Sequence, residues 1–411
     1  MENVSSSNGL EKRPKLRFPG FDEPWKETTL SALFSKSTQK NADGHITNVI
    51  CNSAKLGLIP QREYFDKDIA NSDNTNGYYI IQQNDFVYNP RKSSDAPYGP
   101  ISSYKYAEDG IVSPLYLCFR AKDEINPLYY EWYFRSSAWH RYIYMSGDSG
   151  ARHDRVSIKD DTFFAMPINL PSEQEQSKIA SFLQSLDDRI AAQEKLVASL
   201  KKHKRGLLRK VFAKLSDSCE KRNLKEVSVL FADGDWIESK DQALDGIRLI
   251  QTGNVGFGVY IDKTQNAKYI SETTFHRLNC LEIYDGDILI SRLPEPAGRA
   301  CLLPKSTERR ITAVDCTVIR TDSSVIDRNY LLQFLCSEQY LKTVNSFLAG
   351  GTRQRISRKN LEGIEVPYPS IDEQRYWGSF LCKVDARISN EEQRRSSLSR
   401  LRCFMLQQLF I

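Results

Sequence analysis

Pro171-Ser172-Glu173-Gln174-Glu175-Gln176 and Pro369-Ser370-Ile371-Asp372-Glu373-Gln374 stand 198 residues apart and share the pattern Pro-Ser-x-x-Glu-Gln. The same shift pairs Ser181-Phe182-Leu183 with Ser379-Phe380-Leu381, Arg189-Ile190 with Arg387-Ile388, Ser199-Leu200 with Ser397-Leu398, and Phe212 with Phe410. A constant offset held without a gap over about forty residues marks an internal repeat. Upstream the echo is weaker. Trp25-Lys26-Glu27 resembles Leu224-Lys225-Glu226, Asn84-Asp85-Phe86-Val87 resembles Asp285-Gly286-Asp287-Ile288, and Arg155-Val156-Ser157 resembles Arg355-Ile356-Ser357. The 411 residues are two halves, each a variable region followed by a more similar tail.

Proline, then serine, then acidic residues is a helix-start signature. Beyond it the apolar residues alternate by four and three: Ile179, Leu183, Leu186, Ile190, Val197, Leu200, Leu207 and Val211 in the first tail. Trp377, Leu381, Val384, Ile388, Leu398, Met405 and Leu409 hold the same phase in the second. Such a repeat predicts two coiled-coil helices of roughly 60 Å. Polar residues interrupt the seams at matching layers, Gln193 with Glu391, Val197 with Arg395, and Lys204 with Arg402. Antiparallel packing about a pseudo-twofold near residues 195 and 393 would set Gln193 against Arg395 and Val197 against Glu391. A solvated stretch of seam is the alternative reading of the same residues.

The variable regions read as mixed α/β. Short β-like runs lie at 78–81, 85–88, 113–119, 247–250, 287–291 and 317–320, bounded by Gly, Asn and Pro. One amphipathic helix is expected near the end of each region, around 127–144 and 328–348. The fold class is therefore α+β: two mixed α/β modules in tandem, each followed by a long helix. The expected boundaries are a disordered tail at 1–17, a first module at 18–170, a helix at 171–214, a second module at 215–369 and a helix at 370–411.

Composition narrows the function. Lys plus Arg total 57 against 52 Asp plus Glu, a formal charge of +5, which excludes a histone-like polycation but not a local basic face. No apolar run approaches the ~18–20 residues that cross a bilayer, and MENVSSSNGLEKRPK lacks the apolar stretch of a signal peptide. The nine cysteines form no Cys-x-x-Cys pair, as expected of reduced thiols in a cytoplasmic protein.

No nucleotide-binding Gly-x-x-x-x-Gly-Lys-Ser/Thr loop is present, and Gly253, Gly256 and Gly258 have the wrong spacing for a dinucleotide fingerprint. Asn89-Pro90-Arg91 is not the Asn/Asp-Pro-Pro-aromatic corner of an amino-methyltransferase. Asp235, Glu238 and Lys240 superficially resemble a nuclease set, but a solvated loop explains them better. The expectation is no catalytic residues, no metal site and no cofactor on this chain. What remains is a set of polar, basic loops. Arg152, His153 and Arg155 lie in 147–155, and Thr352, Arg353, Gln354, Arg355 and Arg358 lie in 350–359. Arg91 with Lys92, and Arg292 with Arg299, are second candidates. Arg and Gln pair with guanine and adenine edges, and Lys and Arg hold phosphates, so these residues are candidate DNA contacts.

The whole order, variable region then Pro-x-x-x-Glu-Gln helix, twice over, resembles the specificity (S) subunit of type I restriction–modification systems. Leu16-Arg17-Phe18-Pro19-Gly20-Phe21 with Trp25 is similar to the family's opening. Gly286-Asp287-Ile288-Leu289-Ile290-Ser291-Arg292 and Gly350-Gly351-Thr352-Arg353-Gln354-Arg355-Ile356-Ser357 resemble its target-recognition domains. The first module departs from this pattern, with Asn84-Asp85-Phe86-Val87 in place of Gly-Asp-Ile-Leu. The resemblance implies a non-catalytic subunit in which each domain reads one half of a bipartite, asymmetric DNA site. It implies that the helices pack antiparallel, fix the length of the unread spacer and dock two modification subunits; helices of roughly 60 Å would cap the centre-to-centre separation of the domains at ~17 base pairs. Those subunits would bind S-adenosylmethionine and methylate a flipped adenine, and restriction subunits with ATP and Mg²⁺ would join them. A relative that binds the same partners as a scaffold or decoy is the alternative.

Overall fold

A computed structural model describes residues 13–64, 75–147, 154–348 and 354–411. The chain divides into two compact units, Met1–Ala192 with Arg395–Ile411, and Gln193–Arg394. Each unit holds one variable region and a part of each long helix, which run over Glu173–Ser218 and Ile371–Gln408.

The repeated hexapeptide is a helix start with a reason for each residue. Ser172 Oγ accepts from the Glu175 amide at 3.3 Å, and Ser370 Oγ from the Glu373 amide at 3.4 Å. Gln176 and Gln374 turn back to donate to the carbonyls of Pro171 and Pro369, at 3.1 and 2.9 Å. Serine satisfies an orphan amide, and the glutamine braces the proline that precedes it. Glu175 also takes two bonds of 2.8 Å from Arg17. The ordered fold thus includes residues 13–17, which composition groups with the tail.

In the first unit a four-stranded antiparallel sheet has the order 34–37, 117–121, 86–88, 101–103. Its inner face is aromatic: Phe34, Phe86, Phe119, Tyr88, Phe134, Trp139 and Phe163 are buried together. Pro127–Arg135 and His140–Ser146 are two helices where one was expected over 127–144. Ser136 ends the first by bonding Tyr133 O, and the Trp139 indole bonds Phe134 O, so the chain turns before resuming. Met405, Leu406, Leu409 and Phe410 pack on this core with Ile179 and Leu183, so the two long helices run antiparallel here. Arg402 pairs with Asp187.

The second unit repeats the plan. Its four-stranded sheet has the order 230–233, 316–320, 288–291, 300–302, with the same antiparallel pairings. A five-stranded sheet is added, in which Ile247–Ile250 and Arg310–Thr312 run parallel. Arg328–Leu335 and Glu338–Ser346 replace the single helix expected over 328–348, because Ser337 caps a new start by accepting from Tyr340 N. Phe212 lies on Tyr330 and Phe334, as Phe410 lies on Tyr129 and Tyr133 in the first unit. Lys204 pairs with Asp385 at 2.5 Å, the counterpart of Arg402 with Asp187. Lys201 pairs with Glu392. Gly378 breaks no helix: a Cβ there would meet Asp327 Oδ1 at 2.5 Å, so glycine permits close approach to the start of Arg328–Leu335.

Of the expected seam residues, Ile179, Leu183, Leu186, Ile190, Val197, Leu381, Ile388 and Glu391 are buried, and Leu200, Trp377, Val384 and Leu398 are half-buried. The register of the polar layer differs from expectation. Gln193 donates to Glu391 itself, at 2.7 Å to the carboxylate and 3.1 Å to the carbonyl, and Arg395 is exposed. An amide satisfies a buried carboxylate at lower desolvation cost than a second charge.

All nine cysteines are free thiols. Burial pushes Cys118, Cys301 and Cys336 up to about 12 and Cys280 and Cys316 up to about 11. Cys403 is exposed. Native protein treated with iodoacetamide should therefore label Cys403 first, and these five only after denaturation, as peptide mass mapping would show. Among the described residues no helix is long and apolar enough to cross a membrane.

Candidate nucleic-acid interface

Each unit brings together two loops that lie far apart in sequence. In the first, the Val156 amide donates to Pro90 O at 2.9 Å and the Lys92 amide to Asp154 O at 2.8 Å, while Arg91 and Arg155 form a β-bridge. In the second, the Ile356 amide donates to Arg292 O at 3.3 Å. The loop leaving the third strand of the sheet is thus stapled, in both units, to the loop that returns toward the long helix.

The first unit has an open groove of about 700 Å³ lined by Lys55, Arg91, Lys92 and Arg155, with Leu56, Leu115 and Tyr116 as its apolar part. Its floor is set by Asn52, which sequence gave no reason to single out. Buried Asn52 donates to Val87 O and Pro100 O, at 2.7 and 3.2 Å, and accepts from Ser102 Oγ at 2.8 Å. Lys55 and Asp95 are 3.6 Å apart and largely exposed, so water screens that pair and leaves Lys55 free to exchange partners. Arg152 and His153 lie outside the described residues, as do Thr352 and Arg353.

Arg292 and Arg299, expected on the binding surface, are structural struts. Arg292 is buried, donates to Val314 O at 2.6 Å and lies 3.3 Å from Asp233. Arg299 donates to the carbonyls of Val255, Leu293, Pro296 and Thr252, tying two loops together. Burial holds both guanidinium groups below the usual arginine range. The fork of Arg299 has its donors spent on backbone and little left for a ligand, whereas Nε of Arg292 is buried without a hydrogen-bond partner among the described residues. Gln354, Arg355 and Arg358 are exposed. Arg355 lies 3.2 Å from Asp315, and Arg358 pairs along its own helical turn with Glu362 at 3.3 Å.

The acidic residues that resembled a nuclease set have other duties. Asp235 accepts from the Leu281 amide at 2.9 Å, and burial raises its carboxyl above the usual range. Glu238 and Lys240 pair with each other at 2.8 Å. Among the described residues no group of three or more His, Cys, Asp or Glu could hold a metal ion.

Residues 27–202 and 217–400 match the family model of the type I restriction modification DNA specificity domain. The type I restriction enzyme MjaVIII specificity subunit of Methanocaldococcus jannaschii is 25% identical over 256 residues, covering 58% of this chain. The chain spans about three fifths of that relative's length, 60%. Two crystal structures share the fold. The HsdS subunit of Thermoanaerobacter tengcongensis has a TM-score of 0.53 at 17% identity, covering 98% of this chain and 99% of that one. The S subunit of a type I restriction–modification system from M. genitalium has a TM-score of 0.54 at 16% identity, covering 97% and 99%.

Proposed function

We propose, from the premise that this chain belongs to the type I restriction–modification DNA specificity family, that it is the subunit that selects the DNA site. Each unit reads one half of a bipartite, asymmetric sequence, and the long helices set the length of the unread gap and dock two modification subunits. The chain itself performs no chemistry and binds no cofactor. S-adenosylmethionine, ATP and Mg²⁺ belong to its modification and restriction partners in the cytoplasm.

One observation carries this reading. The stapled pair of loops occurs twice, at Pro90 with Val156 and at Arg292 with Ile356, each time just after the third strand of the same four-stranded topology. Two copies of one surface on different side chains suit two different half-sites. Methylome sequencing of the host with and without this gene tests it. The expected result is a bipartite motif with methylated adenine that disappears on deletion. An unchanged methylome would favour a scaffold or decoy that binds the modification subunits without directing them.

Lys92 serves to distinguish holding from reading. Its exposed ammonium lines the groove of the first unit. Lys92→Ala should weaken binding of all duplexes alike and lower the slope of log K against log salt by about 1, as loss of one phosphate contact requires. Fluorescence anisotropy across a salt series measures it.

A further inference from the structure

The two units differ at one matched position beside the stapled loops. In each, a turn leads into the second strand of the four-stranded sheet. Ser113-Pro114-Leu115-Tyr116 is closed by the Tyr116 amide on Ser113 O at 3.0 Å, and Ala313-Val314-Asp315-Cys316 by the Cys316 amide on Ala313 O at 2.8 Å. The strands that follow carry equivalent ion pairs, Arg120 with Asp85 and Arg320 with Asp287. Asp315 therefore stands where Leu115 stands. Arg155 and Arg355 are matched in the same way, since the next amide in each bonds the partner loop. Arg155 shares its groove with Leu115, which is 60% exposed. Arg355 instead has a carboxylate 3.2 Å away.

That carboxylate is available to Arg355. Its other cationic neighbour, Arg292, lies 4.0 Å off and is already committed to Val314 O and Asp233. Asp315 Oδ1 is buried and makes no hydrogen bond among the described residues, so its contact with Arg355 is ionic and leaves the guanidinium tethered rather than locked. Arg355 is 46% exposed and meets Asp315 through Nη2 without a formed hydrogen bond, which leaves donors for a ligand.

We propose that Asp315 is a positioning residue for Arg355, and that the pair reads a guanine in the half-site of the second unit. This rests on the DNA-reading role above. Guanine presents O6 and N7 side by side in the major groove, and a guanidinium donates to both at once. A carboxylate behind the fork orients it before binding, so less side-chain freedom is lost on contact. The first unit has leucine rather than a carboxylate at the matched place beside Arg155, and the two halves of the site are read by different chemistry.

The full-length chain is allowed to select from a duplex library randomised in both half-sites, and the bound DNA is sequenced. Wild type should select guanine at one position of one half-site. Arg355→Ala, Arg355→Lys and Asp315→Asn should all flatten that position alone, leaving the other half-site intact, and Asp315→Glu should restore part of the preference. Replacing the selected guanine by 7-deazaguanine removes N7 and keeps O6, so it should weaken wild type by only part of the roughly 5- to 150-fold range of a full bidentate contact, and should weaken Arg355→Ala much less. Intact preferences at the remaining positions of the same half-site show that the altered unit is folded in each variant. A guanine preference unchanged in Asp315→Asn overturns the positioning role and leaves the DNA-reading role standing. Uniform weakening by Arg355→Ala makes that residue a phosphate contact and overturns the inference in the same way. A wild-type chain that selects no sequence removes both.

Discussion

Phe212→Ala lowers the stability of the unit Gln193–Arg394 by about 3–5 kcal/mol, the cost of emptying a fully buried aromatic site. Phe212 is completely buried, with its ring 5.5 Å from Tyr330 and 5.4 Å from Phe334. It joins Leu208, Val211 and Leu215 of the same long helix in a core with Leu381 of the other. Such a cluster has few routes to collapse around the lost ring, because it is close-packed between helices and the four-stranded sheet. Phe410 holds the matched place in the first unit at 6% exposure, and Phe410→Ala should cost that unit toward the lower end of the same range. Hydrogen exchange separates the two effects. Phe212→Ala should loosen protected amides of 193–394, and Phe410→Ala those of the other unit. A loss below about 1 kcal/mol in both variants would contradict the packing.

Asp287→Ala comes second, at about 3 kcal/mol, the low end for breaking a buried ion pair. Asp287 is 3% exposed and accepts from Arg320 Nε at 2.9 Å, Arg320 Nη2 at 2.7 Å and the Tyr284 amide at 2.8 Å. Its removal leaves a guanidinium without its partner beside the sheet that supports the candidate interface. The matched pair, Asp85 with Arg120, has an arginine that is 42% exposed and better screened. Asp85→Ala should therefore cost less than Asp287→Ala in denaturant titrations. Asp287→Ala combined with Arg320→Leu should recover part of the loss, since it removes the stranded charge as well. Equal losses from the two aspartates would show that exposure of the partner does not set the cost.

The two long helices were legible because their apolar residues recur with one period, and because capping serine and returning glutamine are local interactions that sequence displays directly. The departure in the first module also resolves locally, with Asn84 in the place of Gly286, one residue from its pairing with Asp285. Asn84 at φ +70° and Gly286 at φ +88° occupy the same left-handed turn before Asp85 and Asp287. Asparagine is the non-glycine residue best able to take that conformation. The split of each module helix at Ser136 and Ser337 was hidden, since the apolar periodicity continues across the break. In the candidate site, sequence located the loops but not the direction of their side chains. Arg292 and Arg299 look like DNA contacts in a basic, glycine-containing loop, yet the carbonyls and the carboxylate that hold them come from 233, 252, 255 and 314. Asp315 and Leu115 gave no signal, because their importance comes from a match between units that only strand register reveals.

Hydroxyl-radical footprinting of the full-length chain on a duplex it has selected tests the central claim most directly. Two protected segments separated by an unprotected gap are expected. Lys92→Ala with Arg155→Ala should erase one, and Arg355→Ala should weaken only the other. A single continuous protected stretch, or two segments lost together when one unit is altered, would contradict a chain built from two independent readers.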